Sequence, residues 1–164
     1  MKPALLVVDV QKEFFKSPIA ARSLDDAIEY INAAIAVFRE KGFPVICVQD
    51  RDDESNRVPG TEGFDLPERL DVLASDAHVV KTYANAFTKT PLAEILRQQG
   101  VDTVVIAGFC AEYCVLSTCR GAQDLDLTPI LLRNALASRT PDNIRFVEDV
   151  NDVISYGALK KLLE

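Results

Sequence analysis

Three residues of this 164-residue chain have the types needed for nucleophilic acyl chemistry: Asp9, Lys81 and Cys114. A thiolate is a strong nucleophile, an ammonium beside it favours its ionisation, and a carboxylate can take the thiol's proton and later return it to a leaving group. Each residue alone has a simpler reading: a turn or cap residue for the aspartate, a solvated end for the lysine, a small apolar filler for the cysteine. Their joint placement points to chemistry. Each stands at the end of an apolar run that reads as a buried strand: Pro3–Val8 before Asp9, His78–Thr82 around Lys81, and Thr103–Ala107 before Cys114. In a parallel sheet those ends share one edge, which is where open α/β sheets bind ligands.

The stretch Asp102–Gln123, DTVVIAGFCAEYCVLSTCRGAQ, must position the thiol. Its continuous, β-branched run is the signature of a strand buried on both faces. Gly108 is expected to break the run, and Val115, Thr118, Cys119 and Ala122 then recur at helical spacing. A strand therefore turns sharply into a helix, with Cys114 at the turn near the helix N-terminus. Backbone N–H groups and the positive end of the helix dipole are expected to lower the thiol's pKa there and to hold a developing oxyanion.

The remaining elements follow from the same signals. Ser23 is expected to cap a helix with Asp25 and Asp26 in its first turn, an apolar stripe of Leu24, Ile28, Ile31, Ile35 and Phe38, and Gly42 at its end. Pro44–Val48 reads as a second buried strand leading to Gln49 and Asp50. Arg51–Ala77 is long, charged and punctuated by Pro59, Gly60, Gly63 and Pro67, which predicts a functional loop with one helical turn. Thr90 and Pro91 open a helix closed by Gly100, Leu127–Leu132 is a further strand, and Pro141–Glu164 is mostly helical with a short edge strand around Val153–Ser155. Strands alternating with helices predict a three-layer α/β/α, Rossmann-like, doubly wound and mainly parallel sheet of five to six strands in one domain.

Composition narrows the function. A hydrophobic fraction of 48% at this length supports one globular core, and a net charge of −7 argues against nucleic acid or an anionic membrane as partner. No run approaches membrane-spanning length, and the opening MKPALLVVDVQ lacks the apolar region and cleavage site of a signal peptide. The four cysteines, Cys47, Cys110, Cys114 and Cys119, do not form a disulfide framework, so a reducing cytoplasm is the expected setting.

Taken together, the opening VVDVQKEF, the block VKTYANAFTKTPLAEILRQQGVDTVVIAGFCAEYCV and the continuation STCRGAQDLDLTPILL resemble the isochorismatase-like cysteine hydrolase superfamily, which includes nicotinamidases and related amidases. The resemblance runs from Leu5 to about Ala137. It implies that Asp9 is the general acid/base, Lys81 its ion-pair partner and Cys114 the nucleophile. It also implies a cis peptide between Phe109 and Cys110 and an oxyanion hole from the amides of Cys110 and Cys114. Phe14 looks like the aromatic wall of a substrate pocket, with Gln11, Tyr83, Phe87 and Tyr113 as its expected neighbours. A small-molecule substrate and a homodimer or larger homo-oligomer follow from the same resemblance.

The departures set the expected activity. Nicotinamidases of this superfamily bind a divalent metal through an Asp-x-His pair and a further histidine. Here the corresponding stretch is Asp50-Arg51-Asp52, and His78, the one histidine, opens a strand. No metal and no cofactor are therefore expected. Isochorismatases of siderophore pathways cleave a vinyl ether, and many have altered the cysteine position, whereas Cys114 is present here. The expectation is a metal-independent cysteine hydrolase acting on a small carboxamide or related C–N bond, with vinyl-ether hydrolysis as the alternative. A thiol switch of Cys110, Cys114 and Cys119 ranks below both, because it gives Asp9 and Lys81 no role and lacks the C-x-x-C spacing of redox motifs.

Overall fold

The computed structural model describes residues 1–164. Six strands form one parallel sheet in the order β3-β2-β1-β4-β5-β6, comprising β1 (Pro3–Val8), β2 (Val45–Asp50), β3 (Ala77–Lys81), β4 (Thr103–Phe109), β5 (Thr128–Ala137) and β6 (Val153–Ile154). Five α-helices flank it: α1 (Pro18–Glu40), α2 (Leu92–Gln98), α3 (Leu116–Asp124), α4 (Asp142–Asp149) and α5 (Tyr156–Leu163). None is long and apolar enough to cross a membrane.

The central strands β1 and β4 are buried along their whole length, so they carry apolar residues on both faces. Alternation sends Leu5, Val7, Val105 and Ala107 into one core with α1, and Leu6, Val8, Val104 and Ile106 into the other with α2 and α3. On α1 the stripe Leu24, Ile28, Ile31, Ile35 and Phe38 is fully sequestered. Each such side chain contributes roughly 1.5–3 kcal/mol through burial.

Local chemistry moved several boundaries. Helix α1 begins at Pro18, not near Ser23, because Ser17 caps it by accepting the amide of Ala20 and Pro18 needs no N–H partner at the first turn. Ser23 lies inside the helix, where its hydroxyl accepts the Ser138 amide at 3.1 Å and ties α1 to the chain just beyond β5. Gly108 does not break β4. It pairs with Val8 inside the strand at a φ of +121°, and a Cβ there would sit 2.1 Å from the Val8 carbonyl oxygen. The segment 51–76 contains turns and an isolated Asp52–Arg57 bridge but no helical turn. Strand β5 runs on to Ala137, past the expected end at Leu132, with Asn134 at a φ of +66°.

Candidate active site

The carboxyl edge of the sheet collects the three residues from three strands. Asp9 follows β1 at a φ of +53° and donates its amide to Val48 of the neighbouring strand at 2.8 Å. That left-handed backbone is uncommon for a residue with a Cβ and is held here by the sheet bond. Lys81 ends β3, and its side chain is wholly buried. From there Nζ reaches across β2 and β1 to lie 2.9 Å from Asp9 Oδ2, 3.0 Å from Asp50 Oδ1 and 3.2 Å from Cys114 Sγ. The second carboxylate oxygen of Asp9 is buried without a hydrogen-bond partner, an available acceptor beside the thiol.

Cys114 lies in a single π-helical turn, Ala111–Val115, between β4 and α3. The Cys110 carbonyl accepts the amides of Tyr113 and Val115, bonds that pass over the amide of Cys114. The peptide between Phe109 and Cys110 is cis. Burial and the nearby Asp9 charge push the Cys114 thiol up to about 12, against the opposing pull of Lys81. The expected lowering of the thiol's pKa is therefore corrected: burial, with the Asp9 charge, outweighs the lysine.

Asp9 moves in the same direction for the same first reason. Burial raises its carboxyl to about 6, although Lys81 and the Cys114 thiol pull it down. Burial would weaken the Lys81 ammonium, but Asp9, Cys114 and Asp50 together hold it above the usual lysine range. Near neutral pH the resting site is thus a carboxylate, an ammonium and a thiol. A proton passing from Cys114 to Asp9 removes the charge that holds the thiol up, so the two groups titrate as a pair.

Behind Lys81 the charges continue. Asp50 Oδ2 accepts from Arg57 Nε at 3.0 Å, and a second guanidinium nitrogen of Arg57 donates to Asp52 at 2.9 Å. Asp50 and Asp52, the carboxylates considered for a metal, are thus engaged by two cations of the chain itself. His78 is directed elsewhere, its ring nitrogen 3.0 Å from the carbonyl of Leu73.

A cleft of about 480 Å³ opens onto these residues, within the range of small-molecule sites. Asp9, Phe14, Asp50, Arg57, Phe109, Cys110, Tyr113 and Cys114 line it. Phe14 packs on Phe109 at 4.4 Å between ring centres, and the Arg57 guanidinium stands 5.0 Å from the Phe14 ring. Three expected pocket residues lie elsewhere. Gln11 is fully buried as a clamp, with its amide nitrogen donating to the carbonyls of Asp50 and Phe64 and its oxygen accepting the Asp50 amide. Tyr83 is exposed and accepts a bond from Lys89, and Phe87 packs against the core under α2 and α3.

Sequence reasoning missed Arg57, Glu112, Arg139 and Asn143 in the cleft. Arg139 stands just past the end of β5, so the strand-end rule that found Asp9 would have found it had β5 been carried to Ala137. Arg57 had no such signal, being one charge among many in a long loop. A larger open groove of about 1270 Å³, lined by α1 and α4 residues such as Arg22, Tyr30 and Glu148, contains none of Asp9, Lys81 and Cys114.

The fold and the site together define a class: proteins that set a thiol, an ammonium and a carboxylate at the carboxyl edge of a parallel Rossmann-like sheet. The family model described as "Isochorismatase domain" matches residues 3–147, and the chain belongs to that family of hydrolases. It is 33% identical over 139 residues to the isochorismatase-family protein YrdC of Bacillus subtilis, covering 84% of this chain and 74% of the relative. It is 29% identical over 159 residues to the maleamate amidohydrolase of Pseudomonas putida, covering 86% of this chain and 75% of that one. The crystal structure of N-carbamoylsarcosine amidase from Thermoplasma acidophilum superposes with a TM-score of 0.83 at 29% identity, covering 95% and 97% of the two chains.

Proposed function

We propose that this protein is a cysteine hydrolase that cleaves a small carboxamide or related C–N bond through a thioester, with Asp9, Lys81 and Cys114 as its catalytic residues and no metal in the reaction. The observation that carries the reading is Lys81 Nζ within 3.2 Å of the Cys114 sulfur and 2.9 Å of Asp9, whose other oxygen is free to accept a proton. The amidases among its relatives support the C–N bond, and the engagement of Asp50 and Asp52 by Lys81 and Arg57 supports chemistry without a metal.

In this mechanism Asp9 takes the Cys114 proton as the sulfur attacks the amide carbonyl. The carbonyl's electron pair moves onto oxygen, and the amides of Cys110 and Cys114 hold that oxyanion. Collapse of the tetrahedral species breaks the C–N bond while Asp9 gives its proton to the departing nitrogen. Asp9 then takes a proton from water, whose oxygen attacks the thioester; the acid leaves, and the proton returns to the Cys114 sulfur. Lys81 keeps one positive charge beside the carboxylate and the sulfur throughout, so each proton transfer moves a single negative charge between its partners. The free cysteines support a reducing, cytoplasmic setting, and a homo-oligomer belongs to the same proposal.

The test is ammonia release from a panel of small amides in the presence of a chelator, comparing wild type with Cys114→Ala. Release by wild type alone upholds the reading. Release that survives in Cys114→Ala or stops with the chelator contradicts it, and activity only on vinyl ethers replaces it with the isochorismatase reaction.

A further inference from the structure

The turn that carries Cys114 is tied to the rest of the molecule through one carboxylate. Glu112 accepts from the Ser138 hydroxyl at 2.8 Å, from the Asn143 side-chain amide at 3.1 Å and from the Cys110 thiol at 3.2 Å. Within Ala111–Val115 the other side-chain polar contacts all belong to Cys114, and no side chain caps the start of the turn. Ala111 and Val115 are buried in the core under α2 and α3. Apolar burial is non-directional, however, and does not by itself fix where a backbone N–H points.

The far end of this tie is itself held. Ser138 is fully buried just past β5; its amide donates to Ser23 of α1 at 3.1 Å, and its Oγ accepts the Thr140 amide at 2.9 Å. Asn143 stands in the first turn of α4. Glu112 thus joins the turn to α1, to the end of β5 and to α4 at once. Burial would raise its carboxyl, but its own backbone, Ser138, Asn143 and Cys110 hold it below the ordinary glutamate range. The acceptor stays ionised and its bonds are charge-assisted. A negative charge lining the cleft cannot itself stabilise an oxyanion. What Glu112 can supply is geometry, because it lies between Cys110, whose thiol it holds, and Cys114.

We propose that Glu112 is a positioning residue: by clamping the Cys110 side chain and the turn to Ser138 and Asn143, it aims the Cys110 and Cys114 amides at the oxyanion of the tetrahedral species. The proposal rests on the reading above of those two amides as the oxyanion's donors. Glu112 acts through the backbone and not on the substrate. Oxyanion donors work only when held where the charge develops, so a small displacement of either amide forfeits much of its effect. The loss of Glu112 is therefore felt when a carbonyl turns tetrahedral. It is not felt when the thiol ionises, a step that Asp9 and Lys81 govern.

The experiment separates those two stages in wild type, Glu112→Gln, Glu112→Ala and Ser138→Ala. Iodoacetamide loses iodide to the Cys114 sulfur and forms no oxyanion, so its rate and the pH profile of that rate should be little changed by any of the three substitutions. Butanal adds to the same sulfur: the S–C bond forms, the carbonyl pair moves onto oxygen, and the thiol proton leaves to Asp9. The adduct protects Cys114 from alkylation. The half-protecting butanal concentration is expected to rise roughly 10–100-fold in Glu112→Ala, less in Ser138→Ala and least in Glu112→Gln, whose amide oxygen can still accept from Ser138. An unchanged concentration in Glu112→Ala, no protection of wild type, or an alkylation profile that shifts in parallel, as a collapsed turn would give, overturns the proposal. If Glu112→Ala does not fold, Ser138→Ala decides by the same criterion. The kcat for butanamide should fall by the same factor with KM little changed. A butanal shift without butanamide hydrolysis upholds the role of Glu112 and counts against the amidase reading alone.

Discussion

Cys47 inside β2 and Cys114 in the turn after β4 carry thiols weakened as acids by the same two causes. Burial pushes both to about 12, and the Asp9 charge raises both. Their surroundings differ. The one polar contact of Cys47 is with Gln49 at 3.9 Å, whereas Cys114 has Lys81 at 3.2 Å and the free oxygen of Asp9. Cys119, on the buried face of α3, repeats the Cys47 case, its thiol again at about 12 through burial. Resting acidity therefore does not distinguish the proposed nucleophile from structural thiols. What distinguishes it is a proton acceptor and a cation at the same sulfur, which allow the thiolate to form as the proton leaves.

The comparison breaks most sharply by substitution at the sulfur. Cys114→Ala is expected to lower ammonia release by at least about 10⁴-fold, while Cys47→Ala and Cys119→Ala retain wild-type turnover; equal losses in all three would erase the distinction. Next comes Asp9→Asn, expected to lower kcat by roughly 10²–10⁴-fold. The same variant should gain stability relative to wild type as pH rises. The folded carboxyl at about 6 lies above the ordinary aspartate value of 3.8, so the folded state holds more protons between those values and wild-type stability falls as pH rises through that window. An asparagine escapes this penalty, so in thermal unfolding the stability of Asp9→Asn relative to wild type should rise as pH goes from 4 to 7.

A finer test shifts the acceptor without removing it. Wild-type kcat/KM should rise with pH through about 6 as Asp9 loses its proton. Arg57→Ala leaves Asp50 without its second cation, and Asp50 already pushes Asp9 upward. The acidic limb should therefore move to higher pH, by roughly 0.5–1 unit. An unmoved limb would mean that the chain of charges behind Lys81 does not reach the carboxylate. The smallest effect belongs to the structural thiols: Cys119→Ala should cost about 1 kcal/mol by urea unfolding, through lost packing alone.

The same contrast explains what was legible in the sequence. Buried parallel strands are written as apolar runs, so β1, β2 and β4 and the polar residues at their ends could be read directly, along with the layered fold. Gly108 misled because a glycine required for close approach of β1 looks like one that ends a strand. Ser23 misled because its hydroxyl serves the chain beyond β5 instead of a helix end. The partners of the site were hidden for a different reason. Asp50–Arg57 and Glu112–Ser138 join residues 7 and 26 positions apart through loops, and side-chain direction there depends on packing rather than periodicity. Gln11, Tyr83 and Phe87 had suitable types but are turned into a backbone clamp, toward solvent and into the core, respectively.

The most direct measurement of the central claim is the rate at which iodoacetamide alkylates Cys114, followed by peptide mass spectrometry from pH 5 to 10 in wild type and Asp9→Asn. If Asp9 accepts the thiol proton, the wild-type rate rises through about pH 6 and then stays level, and Asp9→Asn loses that step and climbs steadily with pH. Superimposable profiles, or a wild-type rate that climbs without a plateau, would contradict activation of Cys114 by Asp9.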